Sequence, residues 1–139
     1  MPEALSARTA SVRGPVTGLV HTGETVQSRI NAAMRAVLSA PTPATALVTG
    51  NVTTTFAILT YLAAEVAPEH RPALVGFDDF PLAQLLDPGI TVLAQQPAQM
   101  GRLAAQLLFG RLAGDDTPAA AHVIPSRLIP RGSGEIPAP

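Results

Sequence analysis

Cysteine is absent from this chain, which excludes a disulfide framework, a thiolate nucleophile and a cysteine-ligated metal. The three histidines, His21, His70 and His122, are scattered and offer no metal-ligand spacing, so neither a metal nor another cofactor is expected. Lysine is absent as well: all 9 basic residues are arginine, set against 10 acidic ones for a formal net charge of -1. No basic field exists to draw in phosphates, and direct nucleic-acid binding by this stretch is not expected. No apolar run reaches the roughly 18 residues of a membrane span. Residues 1–16 lack the apolar core of a secretory signal, so the expected compartment is the cytoplasm, with no membrane partner. G-x-S-x-G, Walker A and G-x-G-x-x-G patterns are missing too, which makes an enzyme a minority reading and leaves no catalytic residue to name.

What is present is enough to fold. Hydrophobic residues make up 47% of the 139 positions and charged residues 14%, far from the composition of disordered chains. A chain of this size is one domain's worth and buries roughly two-thirds of its unfolded surface. Residues 1–18 mix Ser, Thr, Gly, Pro and Arg without periodicity and read as irregular. Residues 19–21 are a short extended candidate. Val26, Ile30, Ala33, Met34, Val37 and Leu38 then form a helical stripe over residues 25–38, stopped by Pro41 and Pro43.

Residues 44–49 are a short, partly β-branched apolar run ending in Gly50-Asn51, which reads as a buried strand and turn. A second helix is expected over 53–67, closed by Pro68, and a second strand over 73–77, leading into Asp78-Asp79. A helical turn at 82–86, a strand at 90–94, a helix at 100–112 and a last strand at 122–129 follow, then a Gly/Pro-rich tail over 131–139. Strand, helix, strand, with strands apolar along their length, points to an α/β fold: a parallel sheet covered on both faces and flanked by helices.

In such sheets ligands bind beyond the carboxyl ends of the strands. Asn51 follows the first strand, Asp78 and Asp79 the second, Gln95 and Gln96 the third. Amide NH2 groups donate and carboxylates accept, a combination suited to hydroxyl-rich, sugar-like ligands. Each residue also has a plain structural reading. Asn51 fits a helix cap better than a ligand contact, one of the two aspartates can cap a turn, and either glutamine can serve the loop. Adjacent carboxylates point in different directions, unlike the acid pairs of glycosidases, which come from separate elements.

Val75-Gly76-Phe77-Asp78-Asp79, then Asp87-Pro88-Gly89-Ile90-Thr91-Val92, Gln95-Gln96-Pro97, Met100-Gly101-Arg102-Leu103-Ala104 and Leu128-Ile129-Pro130-Arg131-Gly132-Ser133 together resemble the LacI/GalR family of transcriptional regulators. The resemblance covers residues 25–133, including Ala46 to Asn51 before a ligand-contacting Asn. It implies a type I periplasmic-binding-protein-like fold, represented mainly by its C-terminal lobe. Ligand contacts would then come from Asn51, Asp78 and Gln95. It also implies a homodimer interface built from helix 53–67 and the segment 82–87, with Thr55, Leu59, Leu62, Leu82, Leu85 and Leu86 as contacts.

The implied organisation is an irregular segment at 1–18, an incomplete effector-binding domain at 19–133 and a tail at 134–139. The implied function is sensing of a sugar or similar small molecule in transcription regulation, with DNA reached only through a helix-turn-helix head that has no counterpart here. Two departures stand out: Val52 occupies a position where the family usually has Asp, and an upstream ligand-reaching Arg has only Arg13 as a candidate. The helix at 100–112 packs in the family on an N-terminal lobe largely missing here, so Leu103, Leu107 and Leu108 are expected to be partly exposed or covered by dimerisation. Weak or no effector binding by the chain itself is the corollary. The competing readings are a solute-binding protein of a sugar transporter, a sugar hydrolase using Asp78 or Asp79, and a dimerisation-only remnant.

Overall fold

A computed structural model describes residues 26–137. The segment 1–18, the extended candidate at 19–21 and Arg13 lie outside the described residues. Seven principal elements follow in order: α1 (Gln27–Leu38), β1 (Ala46–Val48), α2 (Val52–Glu65), β2 (Ala73–Phe77), β3 (Thr91–Ala94), α3 (Pro97–Leu112) and β4 (Arg127–Ile129), with a 3-10 turn at Pro68–His70. The strands form one sheet in the order β1-β2-β3-β4. β1, β2 and β3 run parallel, whereas β4 pairs antiparallel with β3, Val92 opposite Ile129.

Helix formation here depends on packing more than on intrinsic preference. α2 opens Val-Thr-Thr-Thr, a run of β-branched residues that are indifferent helix formers. Its Thr55, Ile58, Tyr61 and Leu62 are nevertheless buried, and burial of that face decides the conformation. Met34 and Val37 of α1 join Ile58, Tyr61, Leu62 and Leu74 in one core cluster. A second cluster, Phe80, Ala83, Ile90, Val92 and Ala94, lies under the loop after β2 and is joined by Val52 and Leu59 of α2. Val52 therefore has a packing role at the position where an acidic residue was the family expectation.

α2 lies close to the sheet because Gly76 has no side chain: a Cβ there would stand 3.2 Å from Val92 Cγ1 and 3.4 Å from Thr55 Oγ1. Thr55 is completely buried, and its hydroxyl donates to Asn51 O (3.0 Å) while meeting Thr49 Oγ1 at 2.7 Å. Thr49 Oγ1 in turn accepts from Phe77 N (3.2 Å), so two threonines join the start of α2 to the end of β2.

The structure corrects several expectations. α3 starts at Pro97 rather than residue 100, because proline suits a first helical position whose N–H has no partner anyway. The last strand contracts from 122–129 to Arg127–Ile129, since only those residues reach β3 for pairing. The sheet is mixed rather than wholly parallel, since β4 joins it antiparallel. Leu74, Gly76 and Val92 face α2, whereas on the opposite face the C-terminal segment approaches Thr91 and Val75 at Gly134. No residue of α3 is buried. Residues 131–135 are thus docked chain and not a loose tail: Thr91 Oγ1 donates to Glu135 Oε2 at 2.8 Å.

Candidate functional site

Parallel β1, β2 and β3 end at one edge of the sheet, and Asn51, Asp78 and Gln95 follow those three ends. The second and third meet directly: Gln95 Nε2 donates to Asp78 Oδ1 at 2.6 Å. They line a cleft of about 590 Å³ together with Asp79, Pro97 and Met100. Asp78 has φ 67°, a left-handed conformation that aspartate tolerates better than most residues. A carboxylate and an amide beside apolar Pro97 and Met100 offer acceptors, donors and a hydrocarbon wall, the combination a polyol ring requires. Gln96 separates from its neighbour, its Nε2 donating to Pro125 O at 2.8 Å.

Asn51 stands at the same edge but outside that lining. It is the N-cap of α2, with Oδ1 accepting from Thr54 N at 2.8 Å. The cap occupies the carbonyl oxygen of the amide and leaves the NH2 group as the part with a donor to offer a ligand. Asn51→Ala is expected to cost about 1 kcal/mol of stability through loss of the cap. Urea titration of wild type and variant measures this directly, and an unchanged midpoint would remove the capping role.

Asp79 and Arg131 form the ion pair of this edge. The guanidinium forks onto the carboxylate, Nη1 to Oδ1 at 2.7 Å and Nη2 to Oδ2 at 2.9 Å, while Asp79 Oδ1 also accepts from Phe80 N. Arg131 beside it, chiefly through that hydrogen bonding, holds the Asp79 carboxyl below its ordinary value. An unfolded Asp titrates near about 3.9. The pair's contribution is therefore complete above that pH and is lost as pH falls through the lower folded value. Because Asp79 is more than a third exposed, that contribution is below about 1 kcal/mol. Between about pH 4.5 and 2 the wild type should lose stability more steeply than Asp79→Asn; parallel curves for the two would show that the pair is not linked to folding.

The residues that sequence reasoning passed over are Arg131 and Ser133. Read as the start of a tail, they form a clasp. Arg131 N donates to Thr91 Oγ1 (2.9 Å) and its Nη1 reaches Ile90 O (3.2 Å). Gly132 has φ 109°, which favours glycine, and Ser133 is buried with hydrogen bonds to both β2 and β3. The only signal available was the R-G-S spacing itself, which says nothing of contacts.

Away from the edge, a largely apolar groove of about 580 Å³ lies between α2 and the loop after β2. Phe56, Leu59, Phe80, Leu82 and Leu86 line it, with Phe56 and Phe80 packed edge to face at 4.9 Å. Leu82 (59%), Leu85 (72%) and Leu86 (42%) are exposed. Thr55 and Leu62 are corrected here. Thr55 has no exposed surface, and Leu62, though it lines the groove, is 4% exposed and packs chiefly within the α1–α2 core. On α3, Leu107 and Leu108 are exposed and Leu103 half-buried, in keeping with the expectation of an uncovered face.

Comparison with known proteins places this geometry. A family model described as a periplasmic binding protein-like domain matches residues 4–134. The chain belongs to that family. It is similar to the HTH-type transcriptional regulator PtxS of Pseudomonas aeruginosa, 42% identical over 60 residues, 43% of this chain and 18% of that protein. The HTH-type transcriptional regulator CelR of Thermobifida fusca is 37% identical over 62 residues, 45% of this chain and 18% of the relative. Among solved structures, a transcriptional regulator CelR-cellobiose complex superposes with a TM-score of 0.69 and 32% identity, over 84% of this chain and 36% of the other. A LacI family transcriptional regulator from Arthrobacter sp. FB24 in complex with lactose gives 0.65 and 28%, over 81% and 42%. The aligned stretches thus span 18% of these two curated relatives and 36% and 42% of these two solved chains. These relatives are transcriptional regulators rather than enzymes. No helix among the described residues is long and apolar enough to cross a membrane.

Proposed function

We propose that this domain is the effector-binding and dimerisation part of a LacI/GalR-type transcriptional regulator, acting in the cytoplasm and responding to a sugar or similar hydroxyl-rich molecule. The observation that carries the proposal is the Asp78–Gln95 pair, 2.6 Å apart at the carboxyl edge of the parallel strands and facing a cleft with Pro97 and Met100. Relatives solved with cellobiose and lactose support the ligand class. Asp78 and Gln95 are the principal ligand contacts in this reading and Asn51 a secondary one through its NH2 group. The groove flanked by Leu59, Leu82, Leu85 and Leu86 is the homodimer surface. Signalling is a population shift in which the effector favours one arrangement by its differential affinity. The domain contacts no DNA itself.

A ligand at a concentration equal to its Kd adds only about 0.4 kcal/mol, a rise in melting temperature of about 1–3 °C for a domain of this size. Thermal-shift titration with cellobiose, lactose and ribose should show a saturable rise of that order with at least one sugar, absent from Asp78→Ala. Light scattering should give twice the chain mass for wild type and a monomer for Leu85→Asp. Equal sugar responses in wild type and Asp78→Ala, or none in either, would sink the binding assignment; a monomeric wild type would sink the dimer.

A further inference from the structure

We propose that Arg131 is a positioning residue for the cleft: through its fork onto Asp79 it holds Asp78 in the left-handed conformation that brings the Asp78 carboxylate to Gln95. The cleft's role as a ligand site rests on the function proposed above, but the positioning itself is a property of the free protein. Among the described residues, Asp78 is the one non-glycine with positive φ. A residue relaxes out of that region unless its surroundings over-determine it. Asp78 N is committed to Leu93 O at 3.0 Å, which anchors the residue's amino side in the β2–β3 ladder. On its carboxyl side the chain is held by Asp79, whose two carboxylate oxygens receive Nη1 and Nη2 of Arg131 and whose Oδ1 also receives Phe80 N.

Arg131 is itself rigidly mounted, its backbone N–H on Thr91 Oγ1 and Nη1 on Ile90 O at the start of β3. Its planar fork fixes the carboxylate in direction as well as distance, which a single ammonium donor does not. The left-handed turn at Asp78 sends the two adjacent carboxylates to different partners, one to Gln95 and one to Arg131. Without the fork, Asp79 swings free, Asp78 relaxes to negative φ, and its carboxylate leaves Gln95.

Solution NMR on the full chain tests this without a ligand. In Arg131→Ala the side-chain NH2 signals of Gln95 should move to the positions of a solvated glutamine, and the amide-to-Hα coupling of Asp78 should change. Signals of Met34 and Tyr61, in the core between α1 and α2, should stay in place. Arg131→Lys should recover part of the Gln95 shift. Asp79→Asn, which keeps an acceptor for Phe80 N, should move the same signals in a fold disturbed less. Unmoved Gln95 and Asp78 signals in either folded variant would overturn the proposal, as would core signals moving as far as those of Gln95. Cellobiose is the ligand arm. If the left-handed form falls to half of the population, the apparent Kd rises about twofold in Arg131→Ala. A wild type that ignores cellobiose counts against the sugar site alone, while the Gln95 and Asp78 signals still decide the positioning.

Discussion

Leu62→Ala is expected to lower the unfolding free energy by about 2–5 kcal/mol, a large part of the 5–15 kcal/mol typical of a domain. Leu62 is 4% exposed and packs in the cluster of Met34, Val37, Ile58, Tyr61 and Leu74, where α1 and α2 meet β2. Removing the isobutyl group loses its transfer free energy and leaves a cavity that two helices and a strand cannot close without moving. Urea denaturation at several protein concentrations separates this from an interface role. The loss should appear in full at every concentration, since each chain supplies its own Leu62 environment. A loss that shrinks towards zero on dilution, as the wild type itself dissociates, would return Leu62 to the dimer surface.

Ser133→Ala is expected to cost about 2–3 kcal/mol, out of proportion to the removal of one oxygen atom. The Ser133 hydroxyl donates to Leu74 O at 2.6 Å and accepts from Thr91 N at 2.9 Å, both buried. It thus satisfies one backbone group on β2 and one on β3, and alanine leaves the Thr91 N–H in the interior with no acceptor. A buried group stripped of its partner costs about 1–3 kcal/mol, with the carbonyl losing less because its second lone pair remains. The backbone of Ser133 still accepts from Leu74 N and donates to Gly89 O, so the segment should stay docked while the strands loosen. Ser126→Ala, on the exposed approach to β4, is the control and should stay within about 0.5 kcal/mol. Equal midpoints for the two variants would show that the clasp does not bind the sheet together.

The site is partly legible in the sequence. Asp78 and Gln95 stood out because strand ends converge in parallel sheets, and they do meet. Asn51 had been weighed as a helix cap, and that is where the geometry puts its oxygen. The interface set divided by burial. Helical spacing alone gives Thr55, Leu59 and Leu62 similar claims, and nothing in that spacing says that Gly76 opens space for Thr55 or that α1 covers Leu62. Arg131 and Ser133 were illegible for a different reason, since their partners Asp79 and Leu74 lie 52 and 59 residues away. Gly and Pro mark where regular structure stops, and a segment without regular structure can still be tied down by side chains.

The features legible in the order of the amino acids are local and periodic. The α/β class, the existence and type of the seven elements, the sheet edge at which polar groups gather and the family all follow from apolar spacing, proline stops and short motifs, which need only neighbours along the chain. Whatever depends on which distant groups share a volume came from the tertiary structure: the antiparallel turn of β4, the C-terminal clasp, the burial of Thr55 and Leu62, and the left-handed Asp78 between Gln95 and the Arg131–Asp79 pair. Hydrogen bonds and close packing act over a few ångströms of space, and the sequence records separation along the chain, which for these contacts is dozens of residues.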